Sequence, residues 1–472
     1  MTLSHLLWRF GFGPSSRSWS TWSALPQRDW WTRLKANSAD PPAYFDVADN
    51  ALKGLVMGLG ELGKQEKREL DKEEKQKIRE QSREDLKSLN LLWLNEMSEG
   101  RAQLREKIAL FWHGHFASRN INILYQQQLL HIVRQHALGN FGDLLREVSK
   151  SAAMLAFLNN QQNKKEHPNE NFAREVMELF TLGRGHYTEM DIKEAARAFT
   201  GWGFQLDGSF VFRRRLHDTG SKTILGKTGH FDGDEVLNIL LEKRETARFI
   251  ARKMYRFLVN ENELPEDRIQ SLGDRFYDSG YQIMALLDEI ASSTWFYEPE
   301  NIGTKIKSPI ELWVGIRRAL SLTPDHPESQ LVLQRALGQI LFYPPNVAGW
   351  PGGQNWIDSS SLMLRLRIPQ MLGGQIALDV STKSDDDQQM GKGAGSKNRQ
   401  RLAGEVDWQP VLELFSNIPE QDLTPRMAAW LWQTNALAPQ EVLRRHTDHS
   451  SADLLVKTTM LQLMATPEYQ LC

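Results

Sequence analysis

Apolar residues recur at helical spacing along most of this chain. The first element predicted is a short helix around His5 to Phe10, closed by a turn at Gly13 and Pro14, with a tryptophan-rich helical stretch over 19–34. Five helices follow in succession, over 105–115, 125–138, 141–159, 168–182 and 188–202. Pro168 suits a first helical turn after a cap at His167. Thr188 with Asp191 makes a capping box, the acid being Asp in place of the usual Glu or Gln. Gly139 and Gly183 fit C-terminal stops. After Trp202 the period changes to two. Residues 204–212 alternate around Asp207 and Gly208, the signature of a β-hairpin, and 216–231 reads as a loop or further strand. Helical spacing resumes over 246–260, 264–279, 283–293 and 309–320. The Pro/Gly/Trp-rich stretch 343–356 must be irregular, and shorter helices over 411–414, 424–433 and 451–464 finish the chain.

The fold class expected is therefore mainly α: a multi-helix body, in one or two lobes, with a small β-hairpin insertion around 204–231 and irregular Pro/Gly/Trp-rich loops. The segments are an N-terminal helical part (1–60), a charged helix projecting into solvent (61–98), a central helical region (99–202), the hairpin insertion (203–232) and a second helical region (233–380). A flexible polar loop (381–398) and C-terminal helices (399–472) complete it. The charged helix interleaves Glu and Lys, which supports i,i+4 ion pairs on a solvated face.

Composition narrows the function classes. The chain has 472 residues, 40% hydrophobic and 25% charged, as in a soluble globular protein. Its 57 basic and 59 acidic side chains give a net charge of -2, which argues against a nucleic-acid binder driven by phosphate neutralisation. Cys472 is the one cysteine, so no disulfide forms within the chain. No apolar run is long enough to span a bilayer. The start lacks the basic and apolar regions of an export signal, so the expected compartment is the cytoplasm. The 15 tryptophans suit bulky packing between helices, and some of them aromatic-lined clefts.

Chemically active residues concentrate between Phe111 and Trp202. On a helix over 168–182, Asn171, Arg174, Glu175 and Glu178 share one side, and Phe172, Val176, Leu179 and Phe180 the other. Two carboxylates on one face can bind a divalent cation or divide acid and base roles, and Arg174 can orient an anion. Such a one-sided polar helix is also what an ordinary surface helix looks like. His113 and His115 add imidazole. On a helix their rings diverge by about 160°, unless the helix ends near Gly114 and lets them converge. Imidazole with carboxylate suits zinc, iron or manganese, so the metal set to test is His113, His115, Glu175 and Glu178. A capping or core histidine is the structural alternative for each. His217, Asp218 and Lys222 can complete such a site or simply form turns. The run ending Gly226, Lys227, Thr228 is no phosphate loop, because five residues separate it from Gly220 where four are needed. No Gly-x-Ser-x-Gly elbow occurs. The rigid stretch 343–356, with Trp350 and Trp356, can wall a cleft or plug two parts of the body together.

The opening from His5 to Pro14, with Trp8, Arg9 and Phe10, resembles the start of a bacterial family called domain of unknown function 1800. So do the stretches 111–116, 168–175, 187–191, 195–202 and 344–351, the pairs Leu182 with Gly183 and His217 with Asp218, and the ending 465–470. The resemblance covers essentially the whole chain in order. It implies a predominantly helical fold and carries no established activity. Members of that family often look exported and are encoded beside sulfatase-like proteins, which makes such a protein the partner the resemblance implies; this chain departs by lacking a signal-like start. Two functions stay open. One is a metal- or acid/base-dependent enzyme, with a divalent metal as its cofactor, that uses His113 or His115 as ligand or base, Glu175 and Glu178 as ligands or acid/base pair, Arg174 for an anion, and Asn171, His217 and Asp218 in support. The other is a non-catalytic helical scaffold or partner-binding protein whose polar residues fix helix register or form an interaction face.

Overall fold

The computed structural model describes residues 2–50, 53, 72–372, 404–434, 443 and 445–472. The polar loop expected over 381–398, and residues 61–71 of the charged stretch, lie outside the described residues. Among the described residues the fold is mainly helical with three small two-stranded antiparallel sheets. No helix among the described residues is long and apolar enough to cross a membrane.

Several helices are buried nearly all round, and two of them hold the central charges. Gln103–His115 buries every residue except Gly114, and Pro309–Leu320 every residue except Arg318. A helix without a solvent face belongs at the centre of a large body. Both nevertheless carry charge, and an unpaired buried charge is prohibitively costly, so pairing dictates which elements lie alongside. Glu106 accepts from Arg134 Nε and Nη2 at 2.9 Å each and from Trp93 Nε1 at 2.9 Å. This ties the Ile123–His136 and Lys72–Glu99 helices to the centre. Lys107 and Lys305 both donate to Glu311, Lys305 at 2.5 Å, which joins the two central helices. Glu311 is itself fixed by a capping box with Ser308, and Pro309 supplies the preset first turn. Around these charges the buried apolar side chains form one contiguous cluster from Leu3 to Cys472.

Most of the helices read from the sequence are present, with instructive differences. The charged helix runs Lys72–Glu99, but Leu86, Leu89, Trp93, Leu94 and Met97 are buried, so its C-terminal half packs onto the core. The expected helix over 141–159 is two, Phe141–Lys150 and Ala152–Phe157. Ser151 breaks it by turning extended and accepting from Met154 N at 3.3 Å, a fresh N-cap. The helix expected from Pro168 starts at Glu170, capped by Asn169 rather than His167. It then changes character, because Val176–Thr181 is a π-helix. Gly183, at φ 76, supplies the left-handed stop. Thr188 and Asp191 form their capping box at the head of Glu189–Ala198.

The hairpin at Asp207 and Gly208 pairs Trp202–Phe204 with Phe210–Phe212, Trp202 opposite Phe212. A second hairpin, Lys222–Ile224 with Lys227–Gly229, occupies the stretch read as loop or strand. The third sheet joins Leu322–Pro324 to Gly404–Val406 across a long span of chain, a pairing without local sequence signal. Residues 343–356 are irregular apart from one short turn of helix, Gly353–Trp356.

Candidate active site

Where the end of Gln103–His115 meets the Arg244–Leu258 helix and the irregular stretch 343–356, a cavity of about 310 Å³ opens. Its wall carries His115, Lys253, Arg256 and Glu261 on one side and Trp350 and Trp356 on another. Lys305 and Glu311 line it too, which brings the central ion-pair network to its surface. A second cavity, about 220 Å³, lies at the other end of Gln103–His115. Arg17 is paired there with Asp407 and Arg317 with Glu99, while Arg318 donates to the carbonyls of Gly13 and Ser98. The first cavity therefore holds the reactive chemistry.

The centre of that chemistry is a lysine on an imidazole. His115 Nε2 lies 3.2 Å from the Phe180 carbonyl oxygen. A carbonyl only accepts, so Nε2 carries the ring proton and Nδ1 presents a lone pair. Lys253 Nζ donates to that lone pair at 2.9 Å. Burial, and then the Lys253 charge, hold the imidazole well below its ordinary range, so it is neutral. Burial, and then the neighbouring Arg256 guanidinium, push the Lys253 amine down to about 8. About a tenth of it is then unprotonated at pH 7.

The position of Phe180 at the end of the π-helix leaves its carbonyl available. Its hydrogen bonds skip five residues, as in Leu182 N to Met177 O at 2.9 Å. The Phe180 carbonyl falls in the last turn before Gly183, where helical carbonyls lack internal partners. His115 takes it.

His113 has a different task. Two residues along the helix, its ring points away from His115, into Trp93, Phe342 and Trp350 at centroid distances of 5.2, 5.1 and 5.4 Å. Its Nε2 accepts from the Phe342 amide at 3.2 Å. Burial pushes it down to about 3, so it too is neutral. Phe342 sits at φ 68, a strained conformation for a side-chain-bearing residue, and His113 holds it there. The stretch that follows is seated by Gly349, φ 83, whose backbone lies directly on the Gly114 carbonyl. This docking brings Trp350 to the cavity.

On the floor, Glu311 carries a negative charge shared by Lys107 and Lys305; it titrates well below the ordinary carboxylate range because these two cations outweigh its burial. Burial pushes Glu261 up, opposed by Lys305. Gly352 and Gly353 face Glu261 with no side chain between.

The remaining residues singled out in the sequence lie elsewhere, and none of them lines this cavity. Arg174 is paired with Glu189 at 2.9 and 2.6 Å and with Glu170 at 3.1 Å. Glu178 accepts from Arg184 and Tyr187 at 2.5 Å each, and these bonds pull it below its ordinary value. Burial, then the charge of Glu178, pushes Glu175 up. Asn171 donates to the Leu158 carbonyl at 3.1 Å. Arg197 grips Asp218 at 2.7 and 3.2 Å, and His217 Nδ1 lies 3.0 Å from the Thr200 carbonyl oxygen. Among the described residues no three His, Cys, Asp or Glu side chains converge as a metal would need. The set His113, His115, Glu175 and Glu178 is not assembled, since the two rings diverge as helical geometry dictates. Sequence reasoning missed Lys253, Arg256, Glu261, Lys305 and Glu311. Lys253 and Arg256 look like solvated positions of a basic amphipathic helix, whereas Ser308, Pro309 and Glu311 carry a legible capping signature.

A family model described as protein of unknown function (DUF1800) matches residues 5–471. No curated protein and no solved structure matches the chain.

Proposed function

The chain belongs to the DUF1800 family, whose description names no activity, and from the geometry of the cavity we propose that it is an acid/base enzyme acting on a small molecule, with Lys253 as the group that moves the proton. The observation that carries this reading is the 2.9 Å contact between the Lys253 amine and the His115 lone pair, inside a cavity walled by tryptophan. An amine near neutrality in a partly dry pocket can both accept and return a proton at physiological pH. His115 is a positioning residue. Its lone pair holds one N–H of the ammonium form and aims the other two at the cavity. Its own basicity is too low to relay the proton. Glu261, made less acidic by burial, is the second group available for proton exchange. A metal reading is not favoured, because the His115 lone pair is already held by Lys253.

For Asn171, Arg174, Glu178, His217 and Asp218 a structural role is favoured, because each is committed to a protein partner.

The test is the pH profile of Lys253 acylation by an amine-selective reagent, read peptide by peptide by mass spectrometry. The expected midpoint is near pH 8, with ordinary lysines titrating about two units higher. Any turnover found in a substrate screen is expected to vanish in Lys253→Met and survive in Glu178→Gln. A Lys253 profile that overlays those of surface lysines, or turnover retained in Lys253→Met, refutes the proposal.

A further inference from the structure

We infer, resting on the reading of this cavity as an active site, that its substrate is a small acid: one carboxylate or phosphate group held between Lys253 and Arg256, on a carbon body lying against Trp350 and Trp356. The charges of the wall carry the argument. Lys253 and Arg256 stand one turn apart on Arg244–Leu258, the spacing that puts two side chains side by side. Both line the cavity, and neither forms an ion pair with a carboxylate among the described residues. Elsewhere on the same helix the arginines are matched: Arg248 with Asp274, and Arg252 with Glu266. The unmatched pair is therefore confined to the cavity wall.

The acids within the cavity do not supply the missing charge. Glu311 is committed to Lys107, Lys305 and the Ser308 amide. Glu261 is drawn to Lys305 and lies against Gly352 and Gly353. Two cations one turn apart raise each other's free energy, and an anion between them relieves it. Arg256, partly in solvent, is the anchor that meets the anion first; Lys253, deeper, stands beside the atom that exchanges a proton. Size limits the rest of the ligand. A cavity of about 310 Å³ is at the small end of the range for small-molecule pockets, which suits a single acid or phosphate ester. Trp350, Trp356 and Phe257 supply the apolar wall for its body.

The experiment measures protection of Lys253 from acylation in the full chain by inorganic phosphate, by acetate and by neutral glucose. Phosphate or acetate is expected to slow labelling of Lys253 several-fold while leaving other lysines unchanged, and glucose is expected to have no effect. Which anion protects more tells a phosphate ester from a carboxylate as the natural group. In Arg256→Gln the protecting anion should be needed at a concentration at least about tenfold higher, a loss of ~1.4 kcal/mol. Equal protection by glucose, no protection by either anion, or unchanged protection in Arg256→Gln overturns the inference. The acid/base reading fails separately. It falls if Lys253 titrates like a surface lysine without any anion present, even where phosphate still protects through Arg256.

Discussion

Replacing Glu311 by Gln isolates the charge that the centre of the fold depends on. The Glu311 side chain is fully buried, and Lys107 and Lys305, the two ammonium groups it serves, are 1% and 4% exposed. Both lysines donate to Oε1 and the Ser308 amide to Oε2, so Gln keeps the volume and one acceptor oxygen but must set its NH₂ against either the lysines or the Ser308 N–H, donor against donor. Breaking a buried pair from one side costs about 3–5 kcal/mol, because the surviving charge is left without compensation. Unfolding entropy near 2.1 cal/mol/K per residue comes to about 1 kcal/mol/K for a chain of this length. The melting temperature of Glu311→Gln should therefore fall by about 3–5 °C at pH 7, read by calorimetry, with the urea midpoint by tryptophan fluorescence as a second measure. The pH dependence has a definite sign. Lys107 and Lys305 hold Glu311 below its unfolded value, so its contribution is whole above the unfolded carboxylate value of about 4.3 and is lost as pH falls towards the native value. The gap between wild type and variant should thus narrow steadily below about pH 4. Adding Lys107→Met, which removes one stranded charge, should recover about half of the loss. A variant within about 1 kcal/mol of wild type at pH 7, or a gap that stays constant into acid, would refute this account of the core.

Two further outcomes follow from the geometry. Gly349→Ala places a methyl group in the Gly114 carbonyl at a φ of 83, so the stretch carrying Trp350 must lift; a loss of more than about 1 kcal/mol, together with loss of anion protection at Lys253, is expected. Lys307 donates to the Tyr469 carbonyl and lies between the rings of Trp8 and Tyr469 at 3.7 and 3.8 Å, and burial pushes it down to about 7. The unfolded chain then binds more protons than the folded one from about pH 7 to about pH 10. Wild type should gain stability relative to Lys307→Met as pH rises through that window, and identical urea midpoint differences at both ends would contradict it.

What could be read from the sequence was local chemistry. Thr188 with Asp191, the Asp207 and Gly208 turn, and the stop at Gly183 each act within a few residues of themselves, and each appears where its chemistry puts it. Helical spacing likewise gave Pro309–Leu320 its full extent. The break at Ser151 was hidden because the apolar spacing runs on through it. The pairing of Leu322–Pro324 with Gly404–Val406 depends on chain far away. The site divides along the same line. His115 was legible as an imidazole in apolar surroundings, but its partner Lys253 is 138 residues distant. In sequence, a lysine that faces a cavity cannot be told from one that faces water. The carboxylates that drew attention, Glu175 and Glu178, share a helix with Arg174, and local spacing alone does not reveal that Glu178 is engaged by Arg184 and Tyr187.

The π-helical turn of Val176–Thr181 makes residue count a functional quantity. Relative to an α-helix it holds surplus chain, and that surplus lets the segment end with a carbonyl aimed at an imidazole instead of at its own ladder. Removing any one residue there would restore ordinary winding and shift the Phe180 carbonyl from its present direction. His115 would then lose the acceptor that fixes its proton, and the ring could switch tautomer and turn an N–H towards the Lys253 amine. A single-codon deletion, with no chemically important side chain altered, would thus disarm the pocket more surely than many substitutions within it.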